Sequence, residues 1–326
     1  MEREDLEKEI SKYCIIRSPD EIKENISEII GLEIQKKTIQ NIIDAAKNFT
    51  KLEKAGLNSN LSALLYGLPG VGKTFLTRAI CQNKKAILIE VQPSTIFESH
   101  FGETLKNITS FFTHIGKYAN LRFKEGKPTV LFIDEFDSLA RERADPTEIG
   151  EMKRAVNELL RGIDSLMYGI HPLVIIAATN HESTLDSAVW RRFLYHIHFP
   201  LPNLEVRKEI LNYFLNKLES VEPNFTLDLN INHITEQLEG FSPSDIERLV
   251  RSIYIEYLSS PTRDKFIIDN EKAISAISYI GGTQKHMELS NIDKQSEKVV
   301  QNQKTKSLSI SDLLKQEVEK TKKGKG

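Results

Sequence analysis

Residues 67–74 read Gly67-Leu68-Pro69-Gly70-Val71-Gly72-Lys73-Thr74, with a short apolar run at 63–66 before them and a helix-forming stretch, Phe75-Leu76-Thr77-Arg78-Ala79-Ile80, behind them. A strand, a glycine-spaced loop and a helix in that order constrain the fold more than any other stretch of the chain, because this order opens an α/β unit built on a parallel sheet. The glycines have a chemical reason. A nucleotide's phosphates must be wrapped by backbone N–H groups, and side chains at Gly67, Gly70 and Gly72 would block that approach. Lys73 is then predicted to reach the β- and γ-phosphates of ATP, and Thr74 to set its hydroxyl on Mg²⁺. The helix N-terminus adds a positive dipole beneath them. Pro69, Val71 and Phe75 complete the predicted nucleotide contacts of this segment.

At 326 residues the chain can bury one sizeable α/β core and a smaller one without a metal or disulfide staple. Its only cysteines, Cys14 and Cys81, lie far apart without ligand spacing, which argues against a zinc site or a disulfide framework. A reducing compartment, the cytoplasm, is the expected location. The net charge of −2 supplies no global attraction to nucleic acid or to an anionic membrane. The charged start, MEREDLEKEI, does not read as a secretory leader, and no run approaches the roughly 18 apolar residues of a membrane span.

Residues 1–27 are charged and helix-prone, with a break at Ser18-Pro19-Asp20 after which a helix is expected to restart at Glu21. Residues 28–203 alternate helical stripes with five short apolar runs at 63–66, 86–91, 130–133, 173–177 and 195–199. Such runs suit a sheet covered on both faces. Between them, Ile149, Met152, Val156, Leu159, Leu160 and Ile163 recur at helical spacing. The two prolines in Phe199-Pro200-Leu201-Pro202-Asn203 end the sheet region, and residues 204–281 read as a bundle of four helices. The polar tail, 282–326, is expected to be largely disordered, except for Ile310, Leu313, Leu314 and Val318, which could line a short docking helix capped by Ser309. The fold class is therefore α/β: a P-loop NTPase core with a parallel five-stranded sheet between helices, followed by a small α-helical lid.

The apolar run Val130-Leu131-Phe132-Ile133 delivers Asp134 and Glu135 at the end of a strand, where open α/β sheets hold their ligands. Asp134 is predicted to hold hydrated Mg²⁺ and Glu135 to act as general base on the attacking water. Asp137 is expected to cap or pair the following helix. A further core strand ends in Ala177-Ala178-Thr179-Asn180, and Asn180 is predicted beside the γ-phosphate, orienting the water.

With Leu185-Asp186-Ser187-Ala188-Val189-Trp190-Arg191-Arg192-Phe193 added, the chain resembles an AAA ATPase of the AAA+ superfamily over residues 29–280. The resemblance implies that Ile30 and Gly31, in Ile29-Ile30-Gly31, lie near the adenine. It makes Arg191 and Arg192 fingers that reach the γ-phosphate held by the neighbouring subunit, so that each active site is shared. Gly240-Phe241-Ser242-Pro243-Ser244-Asp245-Ile246 resembles the start of the family's lid helix, with Ser242 and Ser244 near the adenine. His100 and Phe101 match the first pore loop, although His100 stands where the family carries an aromatic residue, and residues 141–145 match the second. The family reading implies a hexamer that hydrolyses ATP to remodel, unfold or translocate a protein substrate, working with a separately encoded effector such as a protease. The alternative is a nucleotide-switched assembly factor that recruits a partner without threading anything. Nucleic-acid translocation is disfavoured by the lack of a basic stripe with interleaved aromatics.

Overall fold

The computed structural model describes residues 3–57, 61–91, 101–137, 149–168, 171–185, 187–222, 226–260 and 267–283. In chain order the elements are α1 (Arg3–Ile10), β1 (Ile15–Arg17), α2 (Glu33–Lys47), α3 (Phe49–Lys54), β2 (Ser62–Tyr66), α4 (Lys73–Asn83) and β3 (Ile87–Val91). There follow α5 (Phe101–Lys124), β4 (Thr129–Ile133), α6 (Ile149–Tyr168), β5 (Leu173–Thr179), α7 (Ser187–Trp190) and β6 (Tyr195–His198). The last group is α8 (Leu204–Val221), β7 (Thr226–Asp228), α9 (Ile231–Gln237), α10 (Pro243–Ser259), β8 (Ile267–Asp269) and α11 (Asn270–Ile280). Among the described residues no helix is long and apolar enough to cross a membrane.

The main sheet runs β1-β3-β4-β5-β2-β6. The five expected strands are there and pair in parallel. β2, β4 and β5 are buried almost throughout because they are covered twice, whereas β6, at the sheet edge, buries only Ile197. In β4, Leu131 and Ile133 enter the core on one face while Val130 and Phe132 enter the core on the other; in β2, Leu64 points one way and Ala63 and Leu65 the other. Alternate side chains of a strand must diverge in this way.

The sixth strand corrects the sequence reading. β1 pairs antiparallel with β3 (Ile15 opposite Glu90, Arg17 opposite Leu88), so the first residues are not a purely helical extension. The helix expected to restart at Glu21 is a single 3₁₀ turn, Pro19–Glu21. Its cause is local: the Glu21 carboxylate accepts from Ser18 N at 2.7 Å, closing one turn, and Ile22 is already extended. Asn25 and Glu28 repeat the device in a second single turn. Arg17 and Arg78 both pair with the nearly buried Glu90, and these ion pairs fasten the edge strand to α4.

A separate apolar core, including Leu211, Leu215, Leu249, Ile253 and Tyr257, holds α8 to α11 together. Its two short strands, β7 and β8, pair in parallel and fall outside the all-helical expectation for 204–281. Residues 284–326, with the expected docking helix, lie outside the described residues.

Helices α5 and α6 pack so closely that a Cβ at Gly162 would sit 2.0 Å from the buried Phe112 ring. Gly162→Ala is therefore expected to lower stability by about 1–3 kcal/mol of overpacking, partly offset by alanine's helix preference of about 1 kcal/mol. Urea unfolding of the variant reads the net; a clear gain in stability would refute the close approach.

Candidate functional site

Three strands of the sheet end together, and their ends assemble the site. Tyr66 is level with Thr179, and Ile133 with Ala177, so Gly67, Asp134 and Asn180 leave the same edge. This edge is the carboxyl end of a parallel sheet, where the crossing loops open a crevice.

The phosphate loop needs its glycines for the protein as well as for a ligand. A Cβ at Gly67, whose φ is +145°, would lie 2.3 Å from the Phe199 carbonyl oxygen. At Gly70, with φ +79°, it would lie 2.6 Å from Ser242 Oγ. Lys73, at the first turn of α4, is buried; its Nζ donates to the carbonyl oxygens of Gly67 at 2.7 Å and Leu68 at 2.9 Å. Burial pushes its pKa down to about 8, against the pull of Asp134, Asp137 and Glu182. A bound polyphosphate would oppose that shift by supplying negative charge beside the ammonium.

Thr74 Oγ1 donates to Asp134 Oδ2 at 2.7 Å. Two hard oxygen donors thus converge from the loop helix and from β4, a donor set that suits Mg²⁺. Glu135, exposed beside them, carries a feature that no residue pattern revealed. Its φ is +51°, a left-handed conformation that costs a non-glycine residue roughly 1–2 kcal/mol. Bonds on both sides maintain it: Glu135 N donates to Asp134 Oδ1 at 2.9 Å, and Phe136 N to the Ala178 carbonyl at 2.8 Å.

Asp137 has partners that the sequence reading did not anticipate, while residues 138–148, which follow it, lie outside the described residues. The carboxylate is buried and accepts from Thr179 Oγ1 at 3.1 Å and from Asn180 N at 3.2 Å. It ties the turn after β4 to the end of β5, and so fixes Asn180 relative to Asp134 and Glu135.

Around these groups lies a cleft with two ends. The phosphate end, a cavity of 360 Å³, is lined by Lys73, Thr74, Asp134, Glu135 and Asn180, together with Pro69, Phe75, Glu24 and Arg78. Glu24 and Arg78, which pair at 3.1 Å, were missed. Arg78 could have been found, since it lies four residues past Thr74 and so on the same helix face. The other end, 140 Å³, is mostly apolar: Ile30, Val71 and Phe75, as expected, with Leu32, Tyr213 and Phe214. Ser244 borders both ends.

Two predicted contacts are displaced. Gly31 does not line the cleft; its φ of +71° turns the chain against Val206, and Ile30 and Leu32 on either side face the cavity. Ser242 is fully buried, and its hydroxyl donates to Asp245 Oδ2 at 2.8 Å, so it roofs Gly70 instead of facing the cleft.

Neither Arg191 nor Arg192 lines the cleft. They follow α7, and buried Ser62 fixes the turn after them: Leu194 N donates to Ser62 Oγ at 3.0 Å, and that hydroxyl reaches the Arg192 carbonyl at 3.5 Å. Ser62 begins β2, whereas the phosphate loop leaves its other end; five strand residues at about 3.3 Å each separate the two by roughly 17 Å. Arg192 pairs with Asp164 of α6 at 2.8 Å and donates to the Ala188 carbonyl at 2.9 Å. Arg191 is exposed. His100 and residues 141–145 lie outside the described residues, as does the side chain of Phe101.

Residues 63–201 match the model of the family described as "ATPase family associated with various cellular activities (AAA)". The chain is 33% identical over 241 residues to Protein SAV of Sulfolobus acidocaldarius, a match covering 73% of this chain and 29% of that protein. It is 34% identical over 231 residues to the proteasome-activating nucleotidase of Saccharolobus solfataricus, covering 68% and 54%. The chain thus spans about half or less of the length of either relative. Among solved structures, the FIGL-1 AAA domain in complex with ADP superposes with a TM-score of 0.61 at 22% identity, over 91% of this chain and 97% of that one. At that identity the likeness shows the fold.

Proposed function

The chain carries a domain of the AAA ATPase family, and we propose that it binds ATP and Mg²⁺ in this cleft and hydrolyses the ATP only when assembled into a hexameric ring. Hydrolysis is coupled to remodelling, unfolding or translocation of a protein substrate. The observation that carries the proposal is the convergence of Lys73, Thr74, Asp134, Glu135 and Asn180 on one cleft while Arg191 and Arg192 stand a strand's length away.

Each residue's part follows from its chemistry. The apolar end of the cleft, with Ile30, Val71 and Phe75, takes the base, and Ser244 lies at the junction with the phosphates. Lys73 exchanges its two carbonyl partners for the β- and γ-phosphates. Thr74 and Asp134 would hold Mg²⁺, which when bound supplies neutralising charge to the phosphate oxygens. The Glu135 carboxylate takes a proton from the attacking water, and Asn180, fixed through Asp137, orients that water. Arg191 and Arg192 of one subunit stabilise the charge that develops at the next subunit's γ-phosphate.

A protease as separately encoded effector is part of the reading, supported by the name of the proteasome-activating nucleotidase relative. So is a cytoplasmic location. His100 and Phe101 remain the proposed substrate grip.

The reading predicts that turnover per chain rises with protein concentration as the protomer assembles, and that Lys73→Ala lacks both tight nucleotide binding and turnover. Phosphate release measured alongside sedimentation tests it. Turnover per chain that stays constant from monomer to ring would rule out the shared site.

A further inference from the structure

Thr283, just past α11, is fastened to the roof of the nucleotide cleft. Gly281, with φ +62°, ends α11 and donates to the Ile277 carbonyl at 3.0 Å, and Gly282 packs so tightly that a Cβ would meet the Phe241 ring at 2.7 Å. This turn delivers Thr283 to the start of α10, 38 residues earlier in the chain. There Thr283 N donates to Asp245 Oδ2 at 2.9 Å, its hydroxyl donates to the same oxygen, and its Oγ1 lies 3.1 Å from Ser242 Oγ.

Asp245 gathers more donors: Ser242 N at 2.8 Å, Ser242 Oγ at 2.8 Å and the guanidinium of Arg248. All three of Ser242, Asp245 and Thr283 are buried. Burial by itself would raise the Asp245 carboxyl, but the bonds from Thr283, Ser242 and Arg248 outweigh it and hold the group below the usual range. The cluster is therefore an ionised, saturated cap, and its hydrogen bonds are of the charge-assisted kind.

The cap touches the phosphate loop directly. Ser242 Oγ occupies the space that a Cβ of Gly70 would need, and Ser244 N donates to the Gly70 carbonyl at 3.3 Å. A shift of the cap would move the loop's roof and the Ser244 border of the cleft together.

We propose that Thr283 is a positioning residue for the nucleotide: its hydroxyl and amide latch the turn after α11 onto the Ser242–Asp245 cap and so hold the lid closed over Gly70. The inference rests on the nucleotide-binding reading above and adds a residue that never touches the ligand.

The test is titration of a fluorescent ADP analogue into wild type, Thr283→Val and Thr283→Ser. Loss of one charge-assisted bond is worth about 1.5 kcal/mol, so the Kd of Thr283→Val should rise about tenfold, with kcat at saturating ATP within about twofold of wild type. Thr283→Ser, which keeps the hydroxyl, should bind within about twofold of wild type. A merely structural role would lower the melting temperature of the unliganded protein and leave Kd unchanged; that result overturns the latch. Should Thr283→Val not fold, hydrogen exchange on the wild type decides. The exchange of the Thr283 amide, bonded to Asp245, should slow by about tenfold or more when saturating ADP binds beneath the roof and suppresses opening of the latch. An unchanged rate would overturn the proposal. Wild type that fails to bind the analogue at all refutes the nucleotide reading itself, a result separable from the others.

Discussion

Glu135→Gln is expected to reduce kcat by about a hundredfold to ten-thousandfold while leaving ATP affinity within about threefold. The two halves of that expectation have different origins. The catalytic half comes from chemistry: an amide of the same shape cannot take the proton of an attacking water at neutral pH. The binding half comes from the structure, in which the fixed part of Glu135 is its backbone. Its amide donates to Asp134 Oδ1, and its left-handed φ of +51° is set by that bond and by the bond from Phe136 to Ala178. Neither requires a charged carboxylate at position 135. The variant should therefore retain ATP and stabilise the ring. Single-turnover hydrolysis and equilibrium binding, measured on the same preparation, separate the two halves. Turnover near the wild-type rate would remove Glu135 from the role of base, and collapse of affinity would mean that its side chain serves as a nucleotide or metal ligand.

The phosphate loop, the acidic pair and the core strands were legible because each is a local pattern with one physical cause. Glycines occur where backbone must approach closely, and apolar runs such as Val130-Leu131-Phe132-Ile133 occur where both faces of a strand are covered. What escaped was set by contacts distant in sequence. β1 has three residues and no alternation to announce it; it exists because Ile15, Ile16 and Arg17 find the free edge of β3, with Glu90 as an anchor for Arg17. The bonds that Asp137 accepts from Thr179 and Asn180 were invisible because those residues are more than forty positions away. Thr283 was counted within the polar tail, 282–326, for the same reason. The positive φ of Glu135 has no signature at all, since left-handed backbone is announced by glycine or asparagine and here a glutamate is held there by its surroundings.

Arg191→Ala should lower turnover by about a thousandfold or more in the assembled protein, yet that variant should recover activity when mixed with Lys73→Ala subunits. Such a large loss is reasonable because a guanidinium acts on charge that appears only during phosphoryl transfer. The recovery follows from geometry. The Arg192 carbonyl is bonded to the first residue of β2 and the phosphate loop leaves the last, so a subunit's fingers and its own phosphates lie at opposite ends of one strand. In the proposed ring, head-to-tail contacts would each pair one subunit's cleft with another's finger turn. In an equal mixture about a quarter of such interfaces join an intact cleft to intact fingers, and activity should peak at that ratio. Arg192 is expected to behave less simply, because it must leave Asp164 to reach a neighbour. Asp164→Asn, which weakens the pair without emptying the space, should leave Arg192 freer to engage. If Arg191 acted on its own subunit's phosphate, every subunit in the mixture would carry one fatal defect, and no ratio would restore turnover in a ring whose assembly is confirmed by sedimentation.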